Sequence, residues 1–411
     1  MDRDAIPVTL LSGSLGAGKT TLLNHLLSNA GDRDLAVLVN DMGDVNVDAD
    51  LVENSGLDVA GGVTELSNGC ICCELQDDLS RAVTRLARER DFDHLVVEAS
   101  GISEPEPVAR QFTTGSASAP YDLHAVVAVV DSRLFFDAFG GEGVAERRGT
   151  DDDSRPLSDL LVEQVEFANV VLLNKADLVS TAELDAVEEM VRVLRPDADV
   201  VRTEHSAVDP DRLLAARDAD PSTAAGWRQS LDAADDESEH GSEGHEHAEG
   251  HAHDDSGQAD HAHPEAVYGV TSFTFRRRRP FHPGRLWSFF ADVPADVIRS
   301  KGTCHVAGRD DLTLAVSQAG PSVRVEATGR WVASLPEFER EAYRRNRSDV
   351  EWDDRWGDRR TELVFIGRGM DEAALRSALE DCLVTDAELD AGGFDDRFPA
   401  EQGEERVITA P

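Results

Sequence analysis

Lysine is almost missing from this sequence of 411 residues, where it occurs only as Lys19, Lys175 and Lys301. The 40 basic residues face 81 acidic ones, which leaves a formal net charge of -41. Proteins that bind nucleic acid present a basic surface, so this balance argues against a nucleic-acid partner. Molar salt shortens the Debye length to about 3 Å and screens the self-repulsion of such a chain. We therefore expect a halophilic protein adapted to a salt-rich cytoplasm.

Long apolar stretches are missing as well. None approaches the roughly 20 residues that span a bilayer, so we expect no membrane partner. The start of the chain carries neither the basic region nor the cleavage site of a secretory signal, which predicts a cytoplasmic location. Cysteine occurs five times, and Cys70, Cys72 and Cys73 lie within four residues. In a cytosolic protein such a cluster is typical of a metal or redox site rather than a disulfide framework.

Short apolar runs alternate with helical patterns in the first half of the chain. This alternation predicts an α/β fold, a P-loop NTPase parallel sheet with helices on both faces. The expected strands are 7–12, 36–40, 94–98, 125–131 and 170–174. The expected helices are 20–29, 76–90, 162–168 and 181–195.

The composition divides the chain into four segments. Residues 1–210 form the P-loop domain, and residues 211–265 form an acidic, His-rich linker that we expect to be disordered. We expect residues 266–390 to form a smaller α+β C-terminal domain. We expect residues 391–411 to form an acidic, frayed tail. The expected C-terminal strands are 268–275, 298–307, 312–317, 323–328 and 361–367, and the expected helices are 282–290 and 371–382.

A glycine-rich loop follows the first strand and opens the first helix. It reads Gly-Ser-Leu-Gly-Ala-Gly-Lys-Thr and matches the pattern G-x-x-x-x-G-K-[ST] in full. In this context the backbone N–H groups and the helix N-terminus cradle phosphates. Lys19 is expected to reach the β- and γ-phosphates, and the Thr20 hydroxyl to bind Mg²⁺. The residues expected to hold the nucleotide phosphates are Gly13, Ser14, Gly16, Ala17, Gly18, Lys19, Thr20 and Thr21.

A second motif selects the base. Asn174-Lys175-Ala176-Asp177 follows an apolar strand some 155 residues after the glycine loop. The Asp177 carboxylate can accept hydrogen bonds from N1–H and the 2-amino group of guanine, and adenine offers neither donor there. Asn174 would brace the loop, and the stem of Lys175 would lie along the base. The motif favours GTP over ATP.

Between these motifs lies a strand that ends in Glu98, with Gly101 three residues later. The carboxylate would hold Mg²⁺ directly or through water, and the N–H of Gly101 would face the γ-phosphate and act as a switch. The other interpretation is a strand-end carboxylate that caps the next turn.

The cysteine cluster lies between the two halves of the nucleotide site. Thiolates at this density suit Zn²⁺ or Cu(I), and zinc would take a fourth ligand from a carboxylate, a histidine or water. Buried small apolar residues and a redox pair are the other interpretations.

These motifs together resemble the CobW-type GTPases, metal chaperones related to the urease and hydrogenase nickel-insertion GTPases. The resemblance spans nearly the whole chain. It departs at two places. At residues 40–44 this chain has Asn-Asp-Met-Gly-Asp where the family often has Asn-Glu-Phe-Gly-Glu, which leaves Asp44 as a candidate metal ligand. At Ala99-Ser100 the family more usually has Thr-Thr. The matching segments are Gly13 to Thr21, Cys70 to Cys73, Glu98 to Pro105, Asn174 to Asp177, Arg299 to Gly302 and Trp356 to Gly367.

The linker adds seven histidines in 24 residues. Imidazole suits Zn, Ni, Cu and Co, so this segment is expected to collect divalent cations weakly. Composition drift is the other interpretation. The histidines form three His-x-His pairs after His240, namely His245/His247, His251/His253 and His261/His263. Beyond the linker, Arg276–Arg279 predict a solvated strand edge with inter-domain salt bridges, or a docking patch for an acidic client.

We therefore hypothesise a GTP-hydrolysing metallochaperone that binds GTP and Mg²⁺, holds Zn²⁺ or Co²⁺ at the cysteine cluster and passes it to a client metalloprotein. Zinc is the first choice of metal. Cobalt delivery for cobalamin synthesis is the second hypothesis, since the family name comes from that pathway. Two rival classes are a small-molecule P-loop kinase and a non-catalytic metal store in which the nucleotide is structural.

Overall fold

The computed structural model describes residues 5–39, 63–65, 74–102, 104–115, 118–140, 156–216, 270–346, 352–394 and 397–409. The chain divides into two compact units, one within residues 1–226 and the other within residues 227–411. None of the helices in the described ranges combines the length and the apolarity that crossing a membrane requires.

The first unit is built on a seven-stranded parallel sheet with the order β3-β2-β4-β1-β5-β6-β7. The central strands are buried on both faces, as expected when helices cover a parallel sheet on each side. The strands are β1 Ile6–Ser12, β2 Leu35–Val39, β3 Val63–Glu65, β4 His94–Glu98, β5 Tyr121–Asp131, β6 Val170–Asn174 and β7 Asp199–Arg202.

Two apolar clusters show that helices lie on both faces of this sheet. One cluster joins the sheet to leucines of the first helix and of the short helix Pro210–Leu214. The other joins it to apolar residues of Glu74–Glu89 and Pro105–Thr113. The predicted P-loop NTPase fold is therefore confirmed. The helices are α1 Lys19–Ser28, α2 Glu74–Glu89, α3 Pro105–Thr113, α4 Ser132–Phe139, α5 Leu157–Phe167, α6 Thr181–Leu194 and α7 Pro210–Leu214.

The second unit is a six-stranded antiparallel sheet with the order β13-β11-β10-β9-β12-β8. Its core lies between one face of the sheet and the two helices Pro283–Ala291 (α8) and Glu372–Asp381 (α10), which confirms the predicted smaller α+β domain. The strands are β8 Val270–Arg277, β9 Val297–Cys304, β10 Leu312–Ala319, β11 Ser322–Arg330, β12 Thr361–Arg368 and β13 Glu405–Thr409. The helices are α8 Pro283–Ala291, α9 Glu337–Asn346, α10 Glu372–Asp381 and α11 Asp386–Ala391.

The prediction of a frayed tail after residue 391 is wrong. β13 pairs with β11 in antiparallel register, and Phe398 is buried in the core of the second unit. The acidic composition that suggested fraying does not prevent pairing, because backbone groups form the ladder and Ile408 packs against the core.

The arginine run Arg276–Arg279, which begins within β8, forms three ion pairs inside the second unit. Arg276 pairs with Glu362, Arg277 with Glu380, and Arg279 with Asp386. The expectation of inter-domain salt bridges is therefore corrected for these three pairs, which join strands and helices of one sheet domain.

His94 is a buried histidine at the start of β4. Its side chain is 2% exposed, and Nε2 lies 2.8 Å from Thr9 Oγ1. Burial, aided by His124 and Arg33, lowers the pKa of His94 from 6.5 to about 4. The unfolded chain therefore binds more protons than the folded one between these pH values, so the stabilising contribution of neutral His94 is present above about pH 6.5 and is lost as the pH falls through about 4.

We expect His94→Gln to lower the melting temperature at pH 7 and to lower it less at about pH 4.5. Between pH 7 and pH 4.5 the titration of His94 lowers the free energy of unfolding of the wild type by about 2 kcal/mol, and the variant lacks this loss. Thr9→Val is the matched control, because it removes the hydroxyl but keeps a buried imidazole. Equal melting-temperature deficits of His94→Gln at both pH values would contradict the pKa assignment.

Candidate nucleotide site

The loop between β1 and α1 has a conformation that its glycines permit. Gly13 and Gly18 have φ angles of 147° and 111°, in the region that side chains rarely adopt. A Cβ atom on Gly13 would lie 2.4 Å from the Val129 oxygen, and one on Gly18 would lie 2.4 Å from Asn174 Nδ2. The loop thus packs its backbone directly against the ends of β5 and β6.

Lys19 and Ser14 point their polar atoms into this loop. The Lys19 side chain is 7% exposed, and its Nζ donates to the oxygens of Gly13 (2.9 Å) and Ser14 (3.3 Å). Ser14 is 2% exposed, and its hydroxyl finds no hydrogen-bond partner among the described residues. A buried ammonium and a buried hydroxyl at a helix N-terminus are the groups that an anionic phosphate would bind.

Asn174 joins the loop between β1 and α1, which is the predicted phosphate loop, to the loops that follow β6 and β7. Its Nδ2 donates to the Ala17 oxygen at 2.8 Å. Its Oδ1 accepts from the Ser206 backbone N–H at 2.8 Å and from the Thr203 hydroxyl at 3.2 Å. The Ser206 hydroxyl in turn donates to the Gly18 oxygen at 3.0 Å. Asn174, expected to brace its own loop, also braces the phosphate loop.

Lys175 and Asp177 lie just beyond β6. Lys175 has a left-handed φ of 58°, and its Nζ forms an ion pair of 2.6 Å with Asp131 Oδ2. Asp177 lies in the one-turn 3₁₀ helix Ala176–Leu178 and is exposed to solvent. Its carboxylate can therefore accept hydrogen bonds from a ligand without breaking an internal contact that the structure records.

None of the motifs identified in the sequence includes the loop after β7. His205 and Ser206 have left-handed φ angles of 52° and 56°, an uncommon conformation for two consecutive side-chain-bearing residues. The bonds of Thr203 and Ser206 to Asn174 hold the loop in this conformation. Backbone strain maintained in this way clusters at binding sites. The signal lay in the position of the loop, at the carboxyl end of a parallel strand that was not predicted.

Glu98 and Gly101 lie at the carboxyl end of β4. Glu98 is 3% exposed and stands beside Leu11 in the register of β4 with β1. A Cβ atom on Gly101 would lie 2.8 Å from the Leu15 nitrogen and 3.2 Å from Lys19 Nζ. The segment after β4 therefore contacts the phosphate loop, and hydroxyl and carboxylate oxygens of the kind that Thr20 and Glu98 carry are ligands that Mg²⁺ prefers.

We expect Gly101→Ala to lower GTP turnover about 10- to 100-fold, because the new methyl group pushes on the phosphate loop beside Lys19. Gly329→Ala is the matched control, since a Cβ atom there meets nothing within 4 Å. Steady-state hydrolysis by the two variants and the wild type checks this. A Gly101→Ala protein with wild-type turnover would remove Gly101 from the site.

The predicted Mg²⁺ ligands Thr20 and Glu98 are described by the structure, whereas the other predicted metal ligands fall outside the described residues. These are Asp44, Cys70, Cys72, Cys73, His245, His247, His251 and His253. Within the described ranges, no group of three or more His, Cys, Asp or Glu side chains could hold a metal ion. Their roles stay predictions.

The glycine-rich loop with its buried Lys19 meets the loop Asn174–Asp177 at the carboxyl end of a parallel sheet, as in P-loop proteins that bind nucleoside triphosphates. The loop Asn174–Asp177 is called the base loop from here on, because it carries the predicted guanine motif. Residues 7–202 match the family model described as "CobW/HypB/UreG, nucleotide-binding domain". Residues 270–383 match "Cobalamin synthesis protein cobW C-terminal domain". The chain belongs to the CobW family of P-loop GTPases, which confirms the resemblance seen in the motifs.

Relatives span most of this chain. "Zinc-regulated GTPase metalloprotein activator 1" of Dictyostelium discoideum is 35% identical over 417 residues, covering 94% of this chain and 81% of the relative. "Zinc chaperone CobW" of Sinorhizobium sp is 30% identical over 391 residues, covering 91% and 96%. The solved structure of the Zn(II)-bound YjiA GTPase from E. coli aligns with a TM-score of 0.37 at 20% identity, covering 93% of this chain and 100% of that one.

Proposed function

We propose that this GTPase is a zinc metallochaperone that uses the GTP cycle to load a client metalloprotein. The observation that carries the nucleotide part is the convergence on Asn174 of the phosphate loop and the two loops after β6 and β7. The names of the two relatives, a zinc-regulated GTPase and a zinc chaperone, support the metal part.

In the proposed site, Lys19 binds the β- and γ-phosphates, and the N–H of Gly101 faces the γ-phosphate. Asp177 accepts the two donors of guanine. When bound, Mg²⁺ would be held by Thr20 and Glu98 and would neutralise charge on the phosphates. The contact of Gly101 with the phosphate loop supports a switch role for the segment after β4.

The zinc ion is the cargo, held by the thiolates of Cys70, Cys72 and Cys73. In the sequence this cluster lies between Asp44 and Glu98, where P-loop GTPases carry the segments that respond to the γ-phosphate. GTP binding would set the thiolate geometry, and hydrolysis would release zinc to the client. The linker pairs His245/His247 and His251/His253 would collect zinc weakly and supply the cluster.

We expect the purified protein to bind zinc stoichiometrically and to change its GTP turnover on zinc binding. The combined change of Cys70, Cys72 and Cys73 to serine should abolish both effects but leave GTP binding intact. Cys304→Ala is the matched control, because burial raises the pKa of the Cys304 thiol and disfavours the thiolate that a metal binds. Metal analysis and hydrolysis assays in high salt, with Zn²⁺ and with Co²⁺, check this.

Other outcomes point to other functions. Tighter binding of Co²⁺ than of Zn²⁺ at the cluster would favour cobalt delivery. A rate of GTP turnover that neither metal changes, and that is the same after the three cysteines are replaced, would indicate a role other than metal transfer. Tighter binding of ATP than of GTP would favour a small-molecule kinase.

A further inference from the structure

Asp131 lies beside the base loop, although none of the motifs described above contains it. It is the last residue of β5 and is paired in register with Asn174, the last residue of β6. Its two carboxylate oxygens have different partners. Oδ1 accepts the backbone N–H groups of Arg133 and Leu134, both at 3.1 Å, and Oδ2 lies 2.6 Å from Lys175 Nζ. The cap on α4 therefore fixes the carboxylate that holds the lysine.

The residue after Asp131 also contacts the base loop. The buried Ser132 hydroxyl donates to the backbone oxygen of Asn174 at 2.7 Å. Two consecutive residues of β5 and α4 thus hold two consecutive residues of the base loop, Asn174 and Lys175. The second of these has the left-handed φ of 58°, which a side-chain-bearing residue adopts only when its surroundings hold it there.

We infer that Asp131 is a positioning residue for guanine, which acts by holding Lys175 so that its aliphatic stem lies along the base. The ion pair with Asp131 binds the ammonium group of Lys175, which leaves the methylene groups of the lysine side chain to contact the base. Asp131 does not touch the nucleotide in this arrangement. The inference rests on the proposed GTP site and adds a residue to it.

Asp131→Asn separates this role from helix capping. The amide oxygen of asparagine still accepts the N–H groups of Arg133 and Leu134, and the side chain keeps its size. The contact with Lys175 is lost, because the amide nitrogen that replaces Oδ2 carries no negative charge and donates instead of accepting. Asp137→Asn is the matched control, since that carboxylate lies on the same helix and pairs with Arg133 at 2.6 Å instead of with the base loop.

We expect Asp131→Asn to raise the dissociation constants for GTP and GDP equally, by about 10-fold, because the base and not the γ-phosphate is affected. KM for GTP should rise by a similar factor while kcat changes less than about twofold. Asp137→Asn should bind both nucleotides as the wild type does. Titration with fluorescent N-methylanthraniloyl GTP and GDP, together with steady-state hydrolysis, measures these quantities.

A double-mutant cycle decides whether the effect passes through Lys175. In the Lys175→Met background, Asp131→Asn should cause no further loss of affinity. A full additional loss there, an unchanged affinity of the single variant, or a fall in kcat at constant KM would overturn the inference while the GTP site stands. A wild-type protein that binds neither nucleotide would overturn the proposed function, and the inference with it.

Discussion

Replacing Lys19 with methionine is expected to lower kcat/KM for GTP hydrolysis at least about 100-fold. Lys19 is 7% exposed, and its ammonium lies 2.9 Å from the Gly13 oxygen, inside the loop that is proposed to cradle the phosphates. Methionine keeps the length and the apolar stem of the side chain but removes the charge that a triphosphate needs. Hydrolysis assays over a range of GTP concentrations measure the loss.

Arg192→Met is the control for this loss. It replaces a long cation with the same residue on the exposed face of α6, where Arg192 pairs with Glu188. We expect wild-type hydrolysis from it and a nucleotide-free melting temperature for Lys19→Met close to that of the wild type. Hydrolysis by Lys19→Met within twofold of the wild type would show that the glycine loop is not the phosphate site.

Asp177→Asn should change the base that the protein prefers. Guanine presents N1–H and a 2-amino group to the carboxylate, and an asparagine amide can satisfy only one of these donors. Because a polar group left unpaired in a binding site is costly, we expect GTP affinity to fall about 100-fold. Xanthine carries a carbonyl in place of the 2-amino group, so the amide can pair with both positions, and XTP affinity should rise. Competition titrations with GTP, XTP and ATP measure the change.

The control for Asp177→Asn is Asp185→Asn. Asp185 lies on α6, close in sequence, and its carboxylate pairs with Arg202 of β7. Its replacement should leave the preference for GTP intact. If Asp177→Asn still prefers GTP over XTP, the exposed carboxylate of Asp177 does not read the base.

The parts of the site that depend on neighbours in sequence could be predicted. The phosphate loop needs glycines, Lys19 and Thr20 at short fixed spacings, and the same residues that are predicted to bind phosphate form the turn from β1 into α1. Strands such as β4 and β6 are buried on both faces, and their apolar runs identify them directly. The partner residues of Asn174 and Lys175 could not be predicted, because Asp131 belongs to another strand and Ser206 to the loop after a third strand.

Elements with weak local signals were missed for a related reason. β7 has only four residues, and β13 lies in an acidic segment whose composition predicts fraying. Both strands form because a neighbouring strand in a sheet offers backbone partners, a circumstance that a single stretch of sequence does not contain.

The sequence by itself determined the fold class and the family of P-loop GTPases. It also predicts phosphate binding by the loop with Lys19, guanine recognition by Asp177 and metal binding by Cys70, Cys72 and Cys73. Only the tertiary structure decided which contacts the proposed nucleotide-binding residues make with one another. It placed Asp131 against Lys175 and Asn174 against the phosphate loop. The reason is physical, since parallel strands far apart in the chain end at one edge of the sheet, and their register sets which side chains meet there.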